Sequence, residues 1–212
     1  MTARIVVTGT DTNVGKTIFA AGLTRFLDGA YWKPVQAGLD GETDTDVVRR
    51  LSELPPDRIL PETWRLSTPA SPHLAAERDG VVIDPEALTL PSTTRPLVIE
   101  GAGGLMVPLT HRVLFIDVFA RWRVPVVLCA RTSLGTLNHT LLSLEALRRR
   151  GIPIVGLVLI GDAHSDNERT LAAIAGVPVL GRLGHLDPLT PQTLKAAFTA
   201  TFRRERFISD HT

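Results

Sequence analysis

A glycine-rich stretch near the start of the chain carries the residue types that bind phosphates. The stretch is GTDTNVGKT, from Gly9 to Thr17, and it follows an apolar run and precedes a segment with helical spacing. Backbone N–H groups of such a loop point at an anion, Lys16 adds a positive charge, and the Thr17 hydroxyl suits a magnesium ion. The usual spacing places glycine where Thr10 stands, so we interpret the stretch as a slightly longer phosphate loop. A glycine turn with an incidental lysine is the structural alternative.

Further residues that suit phosphate chemistry follow other apolar runs. Lys33, in YWKPVQAG, can neutralise charge on a transferring phosphoryl group, and its alternative is a surface lysine. Glu100, in VIEGAGG, follows an apolar run in which an unpaired charge is costly, so it is a candidate magnesium ligand. Two aspartates precede a helical segment, and we assign Asp44 to the helix cap and Asp46 to magnesium. The predicted magnesium ligands are Thr17, Asp46 and Glu100.

The composition is that of an ordinary globular protein. Hydrophobic residues make up 44% of the 212 residues, charged residues 21%, and the net charge is +1, so no bulk field favours nucleic acid or a membrane. The N-terminal apolar run is too short for a signal peptide, and IPIVGLVLIG is too short to span a membrane. The lone Cys129 lies in an apolar run and indicates a buried small hydrophobic residue. These features predict a cytoplasmic protein.

Strand-like and helix-like segments alternate along the chain. The strands are continuous apolar runs, which a sheet buried on both faces requires, so we predict one doubly wound, mainly parallel α/β domain over residues 1–212. Ligands of such sheets bind at the carboxyl ends of the strands, where the candidate residues stand. Residues 55–94 are predicted to be surface structure of the same domain, and the charged tail 203–212 is predicted to fray. The predicted helices cover residues 15–27, 44–54, 113–122, 137–150, 166–175 and 191–206.

Six blocks, in this order, resemble the dethiobiotin synthetase family, whose fold is that of the P-loop NTPases. The blocks are GTDTNVGKT at 9–17, KPVQAG at 33–38, TDTDVVRRL at 43–51, PASPHLAAE at 69–77, EGAGGLMVPL at 100–109 and LGTLNHTLL at 134–142. The resemblance implies that 7,8-diaminononanoate takes up CO2 on one amine to give a carbamate. The carbamate then attacks the γ-phosphate of ATP, and the second amine closes the cyclic urea and expels phosphate.

The resemblance also implies roles for individual residues, together with Mg2+, ATP as co-substrate and a homodimer. Lys16 and Lys33 are expected to stabilise negative charge on phosphate and carbamate. The expected nucleotide-binding residues are Thr12, Asn13, Val14, Gly15, Lys16, Thr17, Gly161 and Asp162. The expected substrate-binding residues are Lys33, Ala37, Glu100, Gly103, Gly135, Thr136, Leu137 and Asn138, the last four presented by the partner subunit. A helix N-terminus there would favour the substrate carboxylate, and His139 is expected to pack or cap.

The chain departs from the family pattern at three places. Asn13 stands where some members have glutamate near the substrate amines, and Ala37 stands where some members have serine. The asparagine that often reads adenine is replaced by Ile160, Gly161 and Asp162. We therefore predict base recognition by backbone groups around 161–163 and a relaxed preference for ATP over CTP.

Two other functions share part of the pattern. A related amide-forming or activating ATPase would use the same phosphate loop and Glu100 without recognising a diamine. A non-enzymatic nucleotide switch would bind nucleotide with negligible turnover, and the second lysine and EGAGG disfavour it. A guanine-reading Asn-Lys-x-Asp motif does not occur in the sequence, and no lysine precedes Lys16 in the loop as in DNA-partitioning ATPases.

Overall fold

The strands of the main sheet send alternate side chains into two separate hydrophobic cores. In the computed structural model, which describes residues 2–208, Val6 belongs to one core, whereas Ile5 and Val7 belong to the other. Successive side chains of a strand point to opposite faces of a sheet, so both faces are covered by protein. The sheet is therefore the middle layer of an α/β structure.

The elements alternate as the sequence predicts. The strands are β1 (Arg4–Gly9), β2 (Ala30–Trp32), β3 (Val35–Ala37), β4 (Ile59–Leu60), β5 (Trp64–Leu66), β6 (Leu97–Gly104), β7 (Val126–Arg131), β8 (Ile154–Ile160) and β9 (Val179–Leu183). The helices are α1 (Lys16–Phe26), α2 (Asp44–Ser52), α3 (Pro72–Arg78), α4 (Phe115–Trp122), α5 (Thr136–Arg149), α6 (Ser165–Ile174), α7 (Pro191–Thr201) and α8 (Glu205–Ile208). No helix within the described range is both long and apolar enough to cross a membrane.

The main sheet has seven strands in the order β4-β2-β6-β1-β7-β8-β9, and every pairing in it is parallel. This confirms the predicted fold class. Strand β6 lies between β2 and β1, so Trp32 pairs with Ile99 on one side and Val7 pairs with Glu100 on the other. The register brings the chain that follows β2 alongside Glu100.

The strand-like run AYWKPV contributes to two strands and not to one. Residues before Lys33 form β2 of the main sheet, whereas β3 pairs only with β5 in a separate two-stranded sheet. Pro34 stands at the division, has no N–H to donate, and its carbonyl accepts from the backbone of Thr63 and Trp64. The segment 55–94 contributes buried side chains, among them Leu66, to one of the two cores, so it packs on the rest of the chain.

The predicted C-terminal helix ends early, and the tail does not fray where the structure describes it. Helix α7 ends at Thr201 because Phe202 adopts an extended conformation, with φ −103° and ψ 159°. The chain then turns, and Phe202 and Phe207 are buried against Phe19 at ring-centroid distances of 5.5 and 6.3 Å. Burial of two phenylalanines outweighs the charge of the flanking arginines. The rest of the predicted tail, 209–212, lies outside the described residues.

Candidate active site

The phosphate loop connects β1 to α1 in the position that its sequence predicts. Gly15 is the N-cap residue of α1 and has φ 95°, a left-handed conformation that glycine adopts without strain. Val14 is buried, whereas Thr12 and Asn13 are exposed, and Asn13 also has a positive φ of 57°. The loop thus presents its backbone at the N-terminus of a helix, where anions are favoured.

Lys16 is buried beneath the loop. Its side chain folds back so that Nζ donates to the carbonyl oxygen of Asp11 at 2.9 Å. Burial lowers the pKa of Lys16, and the nearby Glu100 carboxylate opposes that effect. Among residues 2–208 the buried ammonium has one hydrogen-bond partner, so it has further N–H groups to donate and is a strong candidate to bind an anion.

Glu100 is fully buried at the centre of the site and is surrounded by donors. Its Oε1 lies 2.8 Å from Thr17 Oγ1 and 3.3 Å from Lys33 Nζ, and its Oε2 accepts from Tyr31 OH at 2.8 Å. A buried carboxylate is tolerated only when it is paired and hydrogen-bonded, and these three partners satisfy it. The sequence predicted Glu100 at a strand end, but β6 continues through the glycines to Gly104.

Lys33 is buried and holds the two carboxylates of the site together. Its Nζ lies 2.5 Å from Asp44 Oδ2 and 3.3 Å from Glu100 Oε1. Burial opposes the charge on Lys33, but Glu100 and Asp44 outweigh it, so the pKa of Lys33 is raised. Burial likewise opposes the charge on Asp44, and Lys33 overcomes it, so the pKa of Asp44 is lowered. Both groups are therefore charged at neutral pH.

The roles predicted for the two aspartates are exchanged in the structure. Thr43, not Asp44, is the N-cap of α2, and Asp46 completes a capping box by accepting from the Thr43 backbone N–H. The Asp46 carboxylate also accepts from Arg49, so its hydrogen-bond partners lie at the start of its own helix. Asp44, the first residue of α2, places Oδ1 3.0 Å from Thr17 Oγ1. Asp46 therefore leaves the candidate magnesium set and Asp44 replaces it.

Three oxygens around Thr17 fit a hard cation. The Thr17 hydroxyl has one hydrogen but lies within hydrogen-bond distance of both Asp44 and Glu100, so it can donate to only one of them at a time. Two carboxylates and a hydroxyl are fewer ligands than a closed protein cage needs. Within residues 2–208, no cluster of three or more His, Cys, Asp or Glu side chains could hold a metal. An incomplete set of oxygen ligands suits magnesium, which takes its other ligands from phosphates and water.

A cavity of about 410 Å³ opens beside the phosphate loop, within the size range of small-molecule sites. Its lining includes Asn13, Val14, Gly15, Gly161 and Asp162, so five of the eight predicted nucleotide-binding residues share one cavity, whereas Thr12 lines a different one. The N–H of Gly161 already donates to the Leu183 carbonyl, and the carbonyl of Gly161 already accepts from a side-chain nitrogen of strand β9. The backbone of Gly161 is therefore less free to read a base than the sequence predicts.

The predicted substrate residues divide into two groups. Gly103 lies against the phosphate loop, since a Cβ there would stand 3.4 Å from Thr12 Oγ1, and Ala37 is half-buried on β3. Gly135 is the N-cap of α5 with φ 92°, which confirms a helix N-terminus in that block. Only Gly135 and Asn138 of its four residues are exposed, because Thr136 is buried and Leu137 packs against a core. His139 lines a second cavity, of about 350 Å³, beside Thr12 and Met106.

Two residues of the site were missed by sequence reasoning. Tyr31 donates to Glu100, and burial followed by the Glu100 charge raises the pKa of its hydroxyl. The sequence signal for Tyr31 was its position two residues before Lys33, because residues two apart in an extended chain point to the same face. Arg131, at the end of β7, donates to Asp11 and Thr12 of the phosphate loop. Its signal was a charged residue directly after an apolar strand.

Known proteins match this chain over nearly its full length. A family model described as an AAA domain matches residues 3–193. The chain is 66% identical over 209 residues to the ATP-dependent dethiobiotin synthetase BioD of Rhodopseudomonas palustris strain BisB18, covering 99% of this chain and 100% of that protein. It is 58% identical over 208 residues to the protein of the same name from Nitrobacter hamburgensis, covering 98% of each.

Solved structures show the same fold at low identity. A ParA family ATPase from Chlorobium tepidum has a TM-score of 0.57 and 12% identity, covering 94% of this chain and 92% of that one. The septum site-determining protein MinD of Pyrococcus horikoshii, solved with Mg-ADP, has a TM-score of 0.55 and 16% identity, covering 93% and 86%. These structures establish the fold alone. The curated relatives, which match nearly end to end, establish the family: the chain belongs to the ATP-dependent dethiobiotin synthetases.

Proposed function

We propose that the chain carboxylates 7,8-diaminononanoate with CO2 and closes the product to dethiobiotin, at the expense of ATP, in biotin synthesis. The observation that carries this proposal is the convergence of Lys16, Thr17, Lys33, Asp44 and Glu100 beside the phosphate loop. A nucleotide-binding site alone needs no second buried lysine. A site that must hold a phosphoryl donor and an anionic acceptor together does need one, because two anions repel.

The reaction has three bond-forming stages. One amine of the substrate attacks CO2 and loses a proton to give a carbamate. A carbamate oxygen attacks the γ-phosphorus, the bond to the β-phosphate oxygen breaks, and ADP leaves. The other amine attacks the carbonyl carbon of the mixed anhydride, phosphate leaves with the bonding electron pair, and loss of a proton completes the cyclic urea. The energy of ATP thus converts a carbamate oxygen into a leaving group.

The two lysines have distinct positions that suit distinct charges. Lys16, under the loop, is placed for the outer phosphates of ATP, and Lys33, whose pKa is raised, stays positive beside the acceptor. Thr17, Asp44 and Glu100 would hold magnesium, which neutralises charge on the phosphates when bound. The buried walls around Glu100 exclude water, which protects an activated carbamate from hydrolysis.

The diamine fits the second cavity, and a homodimer would complete it. Met106 and Leu142 line that cavity and remain half-exposed, at 52% and 57%, while Leu134 at the start of α5 is fully exposed. Apolar walls suit the alkyl chain of the substrate, and a second copy of the chain would cover these side chains. The exposed N-terminus of α5 at Gly135 and Asn138 would then receive the substrate carboxylate of the partner site.

We expect the site to discriminate only weakly between the bases of different nucleoside triphosphates. The cavity beside the loop offers the side chains of Thr132, Ser133, Asp162 and His185, and no amide side chain follows β8 directly. Hydroxyl groups can donate or accept, so they discriminate poorly between adenine and cytosine. We expect ATP and CTP to support similar rates. Strict dependence on ATP would contradict this part of the proposal.

Phosphate release tests the proposed function. Magnesium, ATP and bicarbonate are supplied with and without 7,8-diaminononanoate, and release should require the diamine. Lys33→Ala should abolish diamine-dependent release, whereas Lys195→Ala, at an exposed position of α7, should leave it unchanged. Circular dichroism checks that both variants fold. Release that ignores the diamine would favour the related ATPase, and tight nucleotide binding without release would favour the switch.

A further inference from the structure

The outer half of the phosphate loop has few contacts of its own. Asp11, Thr12 and Asn13 are exposed, and Asn13 is held in a left-handed conformation that costs a non-glycine residue free energy. The loop also lacks glycine at the first position of the usual spacing, where Thr10 stands. This half of the loop must nevertheless keep its backbone turned toward the nucleotide, because those N–H groups are the phosphate ligands.

Arg131 supplies the missing contacts from a neighbouring strand. One nitrogen of its guanidinium donates to Asp11 Oδ2 at 2.8 Å and to the Thr12 carbonyl at 2.9 Å. Within the described part of the chain, residues 11–13 make no other side-chain hydrogen bond beyond the loop and Lys16. The bond to the Thr12 carbonyl holds the loop backbone, whereas the bond to Asp11 holds a side chain and keeps the guanidinium in place.

The anchor of this contact is rigid. Arg131 is the last residue of β7, which pairs with β1 directly before the loop and with β8 on its other side. The carbonyl of Arg131 accepts from the hydroxyl of Thr136, the first residue of α5. Arg131 is therefore fixed to a central strand and a helix end, and it also lines the cavity beside the phosphate loop, together with Asn13 and Gly15.

We propose that Arg131 is a positioning residue that clamps the Asp11–Thr12 segment of the phosphate loop in the shape that accepts nucleotide. It acts through Asp11 and Thr12 and does not contact the phosphates. The inference rests on the proposed function, since it requires that the loop binds a nucleotide. The ion pair is partly exposed, at 46% for Arg131 and 63% for Asp11, so the clamp contributes little to global stability.

Calorimetric titration with Mg-ADP tests the clamp. Arg131→Met should raise the Kd of Mg-ADP about tenfold, the size expected for lost hydrogen bonds from a charged donor, and Arg131→Lys should recover part of it. The KM for ATP should rise by a similar factor, with kcat nearly unchanged and the melting temperature kept. Arg50→Met is the matched control, because Arg50 forms a similarly exposed ion pair with Glu42 away from the loop.

A double-variant cycle separates the clamp from direct contact with the nucleotide. Asp11→Ala removes the acceptor that holds the guanidinium in place and leaves only the Thr12 carbonyl, so in that background Arg131→Met should have a clearly smaller effect than in the native chain. An equal effect in both backgrounds would overturn the proposal in favour of a phosphate contact. If Arg131→Met leaves the Kd of Mg-ADP unchanged, the Arg131–Asp11 contact is only a surface ion pair and the proposal is overturned. If the unaltered chain binds no Mg-ADP, the proposed function fails instead.

Discussion

Removing the charge of either aspartate at the start of α2 tests the assignment of the magnesium ligands. Asp44→Asn removes the carboxylate that lies 2.5 Å from Lys33 and 3.0 Å from Thr17. Asp46→Asn, two residues further on, replaces the charged capping acceptor by a neutral one and removes the ion pair with Arg49. The two variants change the same charge on the same helix turn, so each is the control for the other.

Their stability costs should be similar. Asp46→Asn weakens a helix cap and an exposed ion pair, which costs about 1 kcal/mol. Asp44→Asn leaves Lys33 paired with Glu100, and its own side chain is 37% exposed, so we expect about 1–2 kcal/mol. Urea unfolding of both variants measures this, and it confirms that neither variant is lost to misfolding.

Their effects on magnesium-dependent activity should differ widely. Asp44→Asn should raise the magnesium concentration for half-maximal phosphate release about 10- to 100-fold, because a charged ligand oxygen is lost. Asp46→Asn should leave that concentration within about twofold, since the Asp46 carboxylate is bonded to Thr43 and Arg49 and a tenfold change would need about 1.4 kcal/mol. Equal magnesium dependence in the two variants would refute the exchange, and a larger effect of Asp46→Asn would restore the assignment made from sequence.

Two further predictions concern α1 and the pH profile. Gly22→Ala should destabilise the protein by about 1–3 kcal/mol in urea unfolding, against the usual gain for alanine in a helix, because overpacking costs that much and the added Cβ would lie 2.0 Å from Phe198 Cε2. A more stable Gly22→Ala variant would contradict this packing, and Phe198→Leu in the same chain should recover part of the loss. Burial lowers the pKa of Lys16, so the charged form is lost at lower pH than for a free lysine. The kcat/KM for ATP should therefore fall on the alkaline side below pH 10.5, the ordinary pKa of lysine, and a limb at or above that value would refute the assignment.

The sequence could predict most of the site because each motif directly follows or ends an apolar strand. GTDTNVGKT, Lys33 and the strand that holds Glu100 all stand in the expected places, and parallel strands bring their carboxyl ends to one edge. The C-terminal tail was mispredicted because a short sequence segment shows its charge but not its contacts. The burial of Phe207 depends on α1, which lies far away in the chain. Local composition cannot report such a contact.

The sequence prediction assigned the helix cap to Asp44 because it attributed the capping signal to the wrong residue. Thr43 followed three residues later by Asp46 has the spacing of a capping box, in which the first side chain is the cap and the second turns back to it. Once Thr43 caps the helix, Asp46 is committed to the helix end, and Asp44 is the carboxylate left to face the phosphate loop. The capping assignment was thus available from spacing alone, without any tertiary contact.

The ion pair between Lys33 and Glu100, in contrast, is set by the tertiary structure and not by any local sequence pattern. It depends on β6 inserting between β2 and β1, although β6 comes much later in the chain than both. That insertion pairs Trp32 with Ile99, so the residues that follow them in the chain, Lys33 and Glu100, share the buried centre of the site. The same motifs with β6 at the edge of the sheet would leave a buried carboxylate without its cation, at a cost of several kcal/mol. The pairing of these two charges therefore favours this strand order over alternatives that the hydrophobic pattern alone would allow.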